Sequence, residues 1–138
     1  MLLLNPLYTS NLSNESDFNN ASIVIKLFYK NADFLFTGDV EEDAEKRMLI
    51  WQNILKSDVL KVAHHGSSSS SSLEFLEKVN PIIAVISVGK NNFGHPSEKI
   101  IKRLKDKNIP VYRTDQNGTV IIRTNGQEYW VKTLKGNN

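Results

Sequence analysis

The sequence contains no cysteine among its 138 residues. Disulfides, thiolate metal ligands and thiol nucleophiles are therefore excluded, and any site must be built from His, Asp, Ser, Lys or backbone groups. Long hydrophobic runs are missing too. The most apolar stretches are short, such as IIAVISVG at 82–89, far below the roughly 20 residues that span a bilayer. MLLLNP at the start has no basic n-region and no long apolar segment before Asn5-Pro6, so no secretory signal is expected. The expectation is a soluble chain, cytoplasmic by default. Charge of one sign is also scarce: 17 Lys and Arg face 15 Asp and Glu, a net charge of +2. Such a balance permits an anionic partner without requiring one.

What is present is a globular balance, 40% hydrophobic and 23% charged, in a chain long enough for one modest domain. There is no internal repeat, and the serine run at 67–72 is the only low-complexity segment. MLLLNP reads as a buried strand and the polar residues 7–20 as a loop. ASIVIKLFY and FLFTGD read as two strands of a hairpin turned at residues 30–33. In EEDAEKRMLIWQNIL, Ala44, Met48, Trp51 and Leu55 form one apolar helical stripe, with acids in the first turn. DVLKVA is a strand ending at His64 and His65, which point in opposite directions if the strand continues through them. One of Ser70 to Ser72 caps a helix with Leu73, Leu76 and Val79 or Asn80 inward. A branched strand at 82–89, a helix with Ile100, Ile101 and Leu104 inward, and a short strand at 110–113 follow. The last segment reads as a hairpin turned at Asn125-Gly126. Alternation in the middle predicts an α/β fold, a mixed sheet with helices on one face, over residues 1–134, with 135–138 a frayed tail.

Polar residues gather after the strands, where α/β proteins place their chemistry. All three histidines lie in these loops. Asp39 is either a helix cap or a carboxylate able to bridge cations. His64 and His65 are either ligands and acid–base groups or structural polar residues. His95, held before Pro96, is a ligand, a proton donor or an exposed loop residue. Lys61 is a phosphate contact or a snorkelling lysine, Ser67 a donor to an anion, and Asp115 an Asx-type turn. A G-x-S-x-G elbow is absent, which disfavours serine catalysis. Asp39, one of the paired histidines and His95 supply at most three ligands, and the dense H-x-H-x-D-H cluster of two-metal hydrolases is absent.

In order along the chain, N-x-x-S-I-V-I-K-L, F-L-F-T-G-D, D-V-L-K-V-A-H-H-G-S, A-V-I-S-V-G-x-N-x-F-G-H-P and Y-R-T-D-x-x-G resemble the metallo-β-lactamase-like domain of the ComEC competence proteins. The likeness runs from about Asn20 to Gly118. H-H-G-S together with N-x-F-G-H-P is specific, whereas T-G-D alone is weak. The resemblance implies half of an αββα sandwich with its site between two sheets. It implies a pair of divalent metal ions, zinc or manganese, and hydrolysis of an ester, amide or phosphodiester, DNA among them. Asp39 then matches a metal-bridging aspartate, with His64 and His65 as further metal candidates and His65 and His95 as catalytic ones. Asp115 matches a polar residue near the site. Ser67 and Asn92 would donate to substrate oxygens, and Lys61 and Arg113 would contact phosphates. The half carrying H-x-H-x-D-H has no counterpart here. The chain therefore resembles a C-terminal half, inactive or incomplete alone, that needs the missing N-terminal lobe or a second copy to cover its sheet. The resembled domain can also be attached to a membrane protein and lie outside the membrane. The alternative is a non-catalytic binding or assembly piece of a DNA-uptake system.

Overall fold

The computed structural model describes residues 1–6 and 13–135. A six-stranded sheet has the order β1 (Leu2–Asn5), β2 (Val24–Tyr29), β3 (Ala32–Phe36), β4 (Val59–Lys61), β5 (Ile83–Ile86) and β6 (Val111–Arg113). β1, β2 and β3 pair antiparallel, whereas β3 through β6 pair parallel. Each parallel connection passes through a helix: α2 (Glu42–Met48), α3 (Leu73–Val79) and α4 (Glu98–Asp106). A short α1 (Glu15–Asn20) precedes β2, and α5 (Thr114–Asn117) follows β6. β7 (Thr119–Thr124) and β8 (Tyr129–Leu134) form a separate hairpin.

The sheet is mixed, as the alternation of strand and helix segments predicts, and one face carries the helices. Leu35, Leu60, Ala84 and Ile86 pack there with Met48, Phe75, Leu76, Ile100 and Leu104, all at most 1% exposed. Residues directly opposite one another across strands share a face. The other face is therefore traced by the row Leu3, Ile25, Phe36, Lys61, Val85 and by the row Leu27, Phe34, Val59, Ile83. The hairpin covers part of it. Tyr129 meets the Phe34 ring edge-on at 6.2 Å and donates its hydroxyl hydrogen to Asp58 at 2.7 Å. Leu3, Leu27 and Phe36, 61%, 41% and 44% exposed, remain open toward the β1 side.

Several sequence expectations change. Residues 15–20 are helical rather than loop, because Asn14 caps them by accepting from the Asp17 N–H; residues 7–12 lie outside the described residues. In β1 only Leu4 and Asn5 are buried, since this edge strand has a neighbour on one side alone. The helix expected over 41–55 breaks: α2 gives way to 3-10 turns over Leu49–Leu55, and Gln52 has φ +46. α3 turns Phe75, Leu76 and Val79 inward, leaving Leu73 52% exposed, because its first turn is anchored by Ser72. The last hairpin is connected by the four residues 125–128, with Asn125 Oδ1 accepting from the N–H groups of Gln127 and Glu128. Of the expected frayed tail, 136–138 lie outside the described residues.

Buried polar residues have specific partners, as they must. Lys26 is 3% exposed on β2; its ammonium meets Asp33 at 3.0 Å and donates to the carbonyls of Ile54, at 2.7 Å, and Lys56. Asn20 Oδ1 accepts from the N–H groups of Glu41 and Ala44, at 3.0 and 3.1 Å, so it caps α2 from another segment of the chain. Among the described residues no helix is long and apolar enough to cross a membrane.

Candidate functional site

Because β3, β4, β5 and β6 run parallel, the loops leaving their C-terminal ends share one edge of the sheet. These loops carry Asp39, then His64 and His65, then Ser87 to His95, then Thr114 and Asp115. Topology thus collects residues far apart in sequence, as at the strand ends of other open α/β sheets.

Asp39 sits on a turn made possible by Gly38, at φ +57; a Cβ there would lie 2.8 Å from the Ser22 Cβ. The Asp39 N–H donates to Ser22 Oγ at 3.1 Å. Asp39 is not a helix cap. The cap position of α2 belongs to Glu41, and Asn20 satisfies the N–H groups of that first turn. The Asp39 carboxylate is instead 44% exposed and 3.8 Å from His65 Nε2.

The paired histidines do not alternate along a strand. β4 ends at Lys61, and His64 and His65 both take left-handed backbone, φ +47 and +53. His64 donates its N–H to the Gly38 carbonyl at 3.1 Å, which ties this turn to the one bearing Asp39. Gly66 follows at φ +82, where a Cβ would lie 2.6 Å from the Pro96 Cβ, and its carbonyl accepts the Ser97 N–H at 2.9 Å. That close approach brings the His95 loop against the histidine turn. The rings of His64 and His95 are 5.5 Å apart, and those of His64 and His65 6.5 Å.

His65 Nδ1 lies 2.6 Å from the Ser87 carbonyl oxygen. A carbonyl can only accept, so Nδ1 carries the hydrogen, and in the neutral ring the lone pair belongs to Nε2, on the Asp39 side. Outer partners of this kind fix the tautomer of ligating histidines. His64 Nδ1 is 3.4 Å from Glu41 Oε1 without hydrogen-bond geometry, and both it and His95 Nδ1 are buried without a partner. Burial, together with the charges of His64 and His65, pulls the His95 imidazolium below its ordinary value. Glu41 accepts from Ser16 and Asn19, at 2.6 and 3.2 Å. Its burial acts to raise its carboxyl, but these bonds and the neighbouring His64 outweigh that and hold it low. Burial lowers the Lys61 ammonium, opposed by the charge of Asp39. Lys61 Nζ reaches the Gly38 carbonyl at 3.3 Å.

The other candidates are placed as follows. Ser67 is 7% exposed and shares a 2.9 Å hydroxyl contact with Ser69. Asn92 is exposed, while its neighbour Asn91 organises the loop through four hydrogen bonds, to Gly89 and His95 and from Phe93 and His95. Arg113 grips Asp115 with two bonds of 3.0 and 2.6 Å, and those bonds hold the Asp115 carboxyl low. Sequence reasoning missed Glu41, Asn91 and Phe93. Glu41 reads as one of three first-turn acids, and Asn91 and Phe93 stand in the N-x-F-G-H-P motif with no role assigned to either.

The serine run is ordered rather than floppy. Ser70 Oγ donates to the Ala63 carbonyl, Ser67 N–H to the His64 carbonyl, and Ser72 Oγ caps α3. The buried Glu45 accepts the N–H groups of Ser71 and Ser72, and Arg103 donates to the Ser70 and Ser71 carbonyls. This segment forms the underside of the histidine turn.

Among the described residues, no group of three or more His, Asp or Glu side chains is arranged to hold one metal ion. Asp39 and His65 fit as two donors of a divalent cation, with the tautomer of His65 already set, and His64 and His95 each present an unpartnered buried nitrogen beside them. Oxygen and imidazole nitrogen are the donor types zinc and manganese accept. The chain therefore fits part of a metal shell and needs further ligands to close it.

A mixed sheet with helices on one face and a polar loop cluster at its strand ends is one half of a metallo-β-lactamase-like sandwich. The chain belongs to the metallo-beta-lactamase superfamily, which matches residues 15–90. It is 43% identical over 107 residues to ComE operon protein 3 of Bacillus subtilis, covering 76% of this chain and 14% of that one. It is 37% identical over 106 residues to competence protein ComA of Neisseria gonorrhoeae, covering 75% and 15%. An uncharacterized Escherichia coli protein, YcaI, is 32% identical over 120 residues, covering 85% and 16%. The chain thus spans less than a fifth of the length of these relatives.

Proposed function

We propose that residues 1–134 are the C-terminal lobe of a metal-dependent hydrolase domain of the ComEC competence-protein type, acting on phosphodiester bonds of DNA once completed. One observation carries the reading: Asp39 and the three imidazoles meet at a single sheet edge in a member of this superfamily, yet supply only part of a metal shell. The complement is an N-terminal lobe bearing the H-x-H-x-D-H ligands. The exposed Leu3, Leu27 and Phe36 supply the apolar face against which it would pack, since faces of this kind mark interaction surfaces.

When bound, a pair of zinc or manganese ions supplies a nucleophilic hydroxide and charge stabilisation for in-line displacement. Asp39 contributes a hard anionic donor. His65 contributes Nε2, oriented by Ser87. Burial and the neighbouring His64 and His65 pull the His95 imidazolium below its ordinary value, which suits a ligand or proton acceptor better than a donor to a leaving oxygen. Lys61 and Arg113 stand as phosphate contacts only in part, because Arg113 is already paired with Asp115. A net charge of +2 is too small to hold DNA tightly by itself.

A second reading, a non-catalytic binding or assembly piece, is favoured by the incomplete donor set alone. Metal content separates the two. The domain completed by its N-terminal lobe is expected to bind about two metal ions and to cleave a phosphodiester. Asp39→Ala should lower its turnover by more than about a hundredfold, beyond the loss typical of a residue that only supports a ligand. A completed domain that binds no metal, or whose cleavage is indifferent to Asp39→Ala, would leave the assembly reading.

A further inference from the structure

The geometry points to Phe93 as a stacking platform for a nucleobase of a single-stranded substrate at the histidine site, an inference that rests on the phosphodiester reading above. Phe93 is 82% exposed, the most exposed of the large apolar side chains described. Its ring stacks on His95, with centroids 5.9 Å apart and planes inclined by 23°. It lines a cavity of about 230 Å3 together with His65, His95, Val88, Lys90 and Asn91. One wall of that cavity is therefore the candidate reaction centre and another is an aromatic plane beside an exposed lysine.

An exposed aromatic on a loose loop would carry little meaning. This loop is not loose. Asn91 donates to the carbonyls of Gly89 and His95 and accepts from the N–H groups of Phe93 and His95, all between 2.8 and 3.1 Å. Phe93 is thus presented to solvent in a fixed pose, which lowers the entropy lost when something stacks on it. The ring has one face toward His95, and its exposure leaves the remainder available to a flat apolar partner. A nucleobase is such a partner, and the Lys90 ammonium suits the phosphate beside it. Base–aromatic stacking tolerates sequence because every base has a π-face, and it requires an unpaired base. The substrate class this arrangement fits is an unpaired strand, held at the nucleotide next to the bond presented to His65 and His95.

The test is fluorescence anisotropy of the chain with two labelled oligomers of about twelve nucleotides, one of thymidines and one abasic, a length within the usual site range. The thymidine oligomer is expected to bind more tightly, with Phe93→Ala weakening it about tenfold and leaving the abasic one unchanged. Phe93→Trp should keep the tighter binding, and Lys90→Ala should weaken both oligomers and flatten their salt dependence. Equal binding of the two oligomers, or an indifferent Phe93→Ala, would overturn the stacking role while leaving the phosphodiester reading intact. Binding of neither oligomer, with the completed domain still cleaving a phosphodiester, would do the same. A completed domain without cleavage, whose isolated lobe nevertheless shows the Phe93 dependence, would overturn the hydrolase reading alone.

Discussion

Glu45→Ala is expected to destabilise the protein by about 3 kcal/mol, read by urea unfolding. Glu45 is fully buried on α2, and its two carboxylate oxygens accept the N–H groups of Ser71 and Ser72, the latter at 2.8 Å. Removing the carboxylate leaves the buried Ser71 N–H and the half-buried Ser72 N–H unsatisfied, a buried donor being worth about 1–3 kcal/mol. The loss is local as well as global. Ser70 and Ser67 hold the carbonyls of Ala63 and His64, so a loosened serine segment frees the histidine turn. The pH dependence has a definite sign. Burial raises the Glu45 carboxyl above 4.5 despite those two N–H groups. A carboxyl whose folded value is raised gives its full stabilisation below the unfolded value and loses it as pH climbs through the folded one. The cost of Glu45→Ala should therefore be larger at about pH 4 than at about pH 7. An equal cost at both would show that the carboxylate is not held against its own charge.

Phe75→Ala is expected to cost about 3–5 kcal/mol, the range for deleting a fully buried aromatic. Phe75 is 0% exposed and is the largest fully buried side chain among the described residues. It stands on α3, which packs on the 3-10 segment of residues 49–55 and on the helix-bearing face of the sheet. No polar group of its own is lost, so the cost is transfer plus cavity and should not depend on pH between about 4 and 7. The contrast with Glu45→Ala is measurable in one titration series. A Phe75→Ala protein within about 1 kcal/mol of the parent would mean that the helix layer repacks over the gap.

The strands are readable from runs of branched residues, and the mixed sheet from their alternation with helical segments. The helix after β3 kept its stripe of Ala44, Met48 and Leu55, but its break at Gln52 had no Gly or Pro to announce it. The histidine turn departs from the extended expectation for a physical reason. DVLKVAHH continues an extended pattern, and nothing in it shows that both imidazoles need left-handed backbone, although histidine enters that region more readily than most residues and Gly66 follows. Gathering of Asp39, His64, His65 and His95 was legible as a loop pattern at strand ends. Glu45 was not: acids opening a helix suit its exposed N–H groups, and only the fold reveals that this one serves another segment. In the same way the sequence offers Asn92 as the substrate contact, whereas Asn91, the first residue of N-x-F-G-H-P, closes the loop.

Asp39 and His65 form a donor pair in which the Ser87 carbonyl has already fixed the imidazole tautomer. Long-range proton–nitrogen spectra of the imidazoles, followed through a zinc titration, test this pairing directly. Before zinc, His65 should carry its proton on Nδ1; on titration its Nε2 resonance should shift, and Asp39→Ala should weaken that shift about tenfold. His65 protonated on Nε2, or a zinc response unchanged by Asp39→Ala, would contradict it.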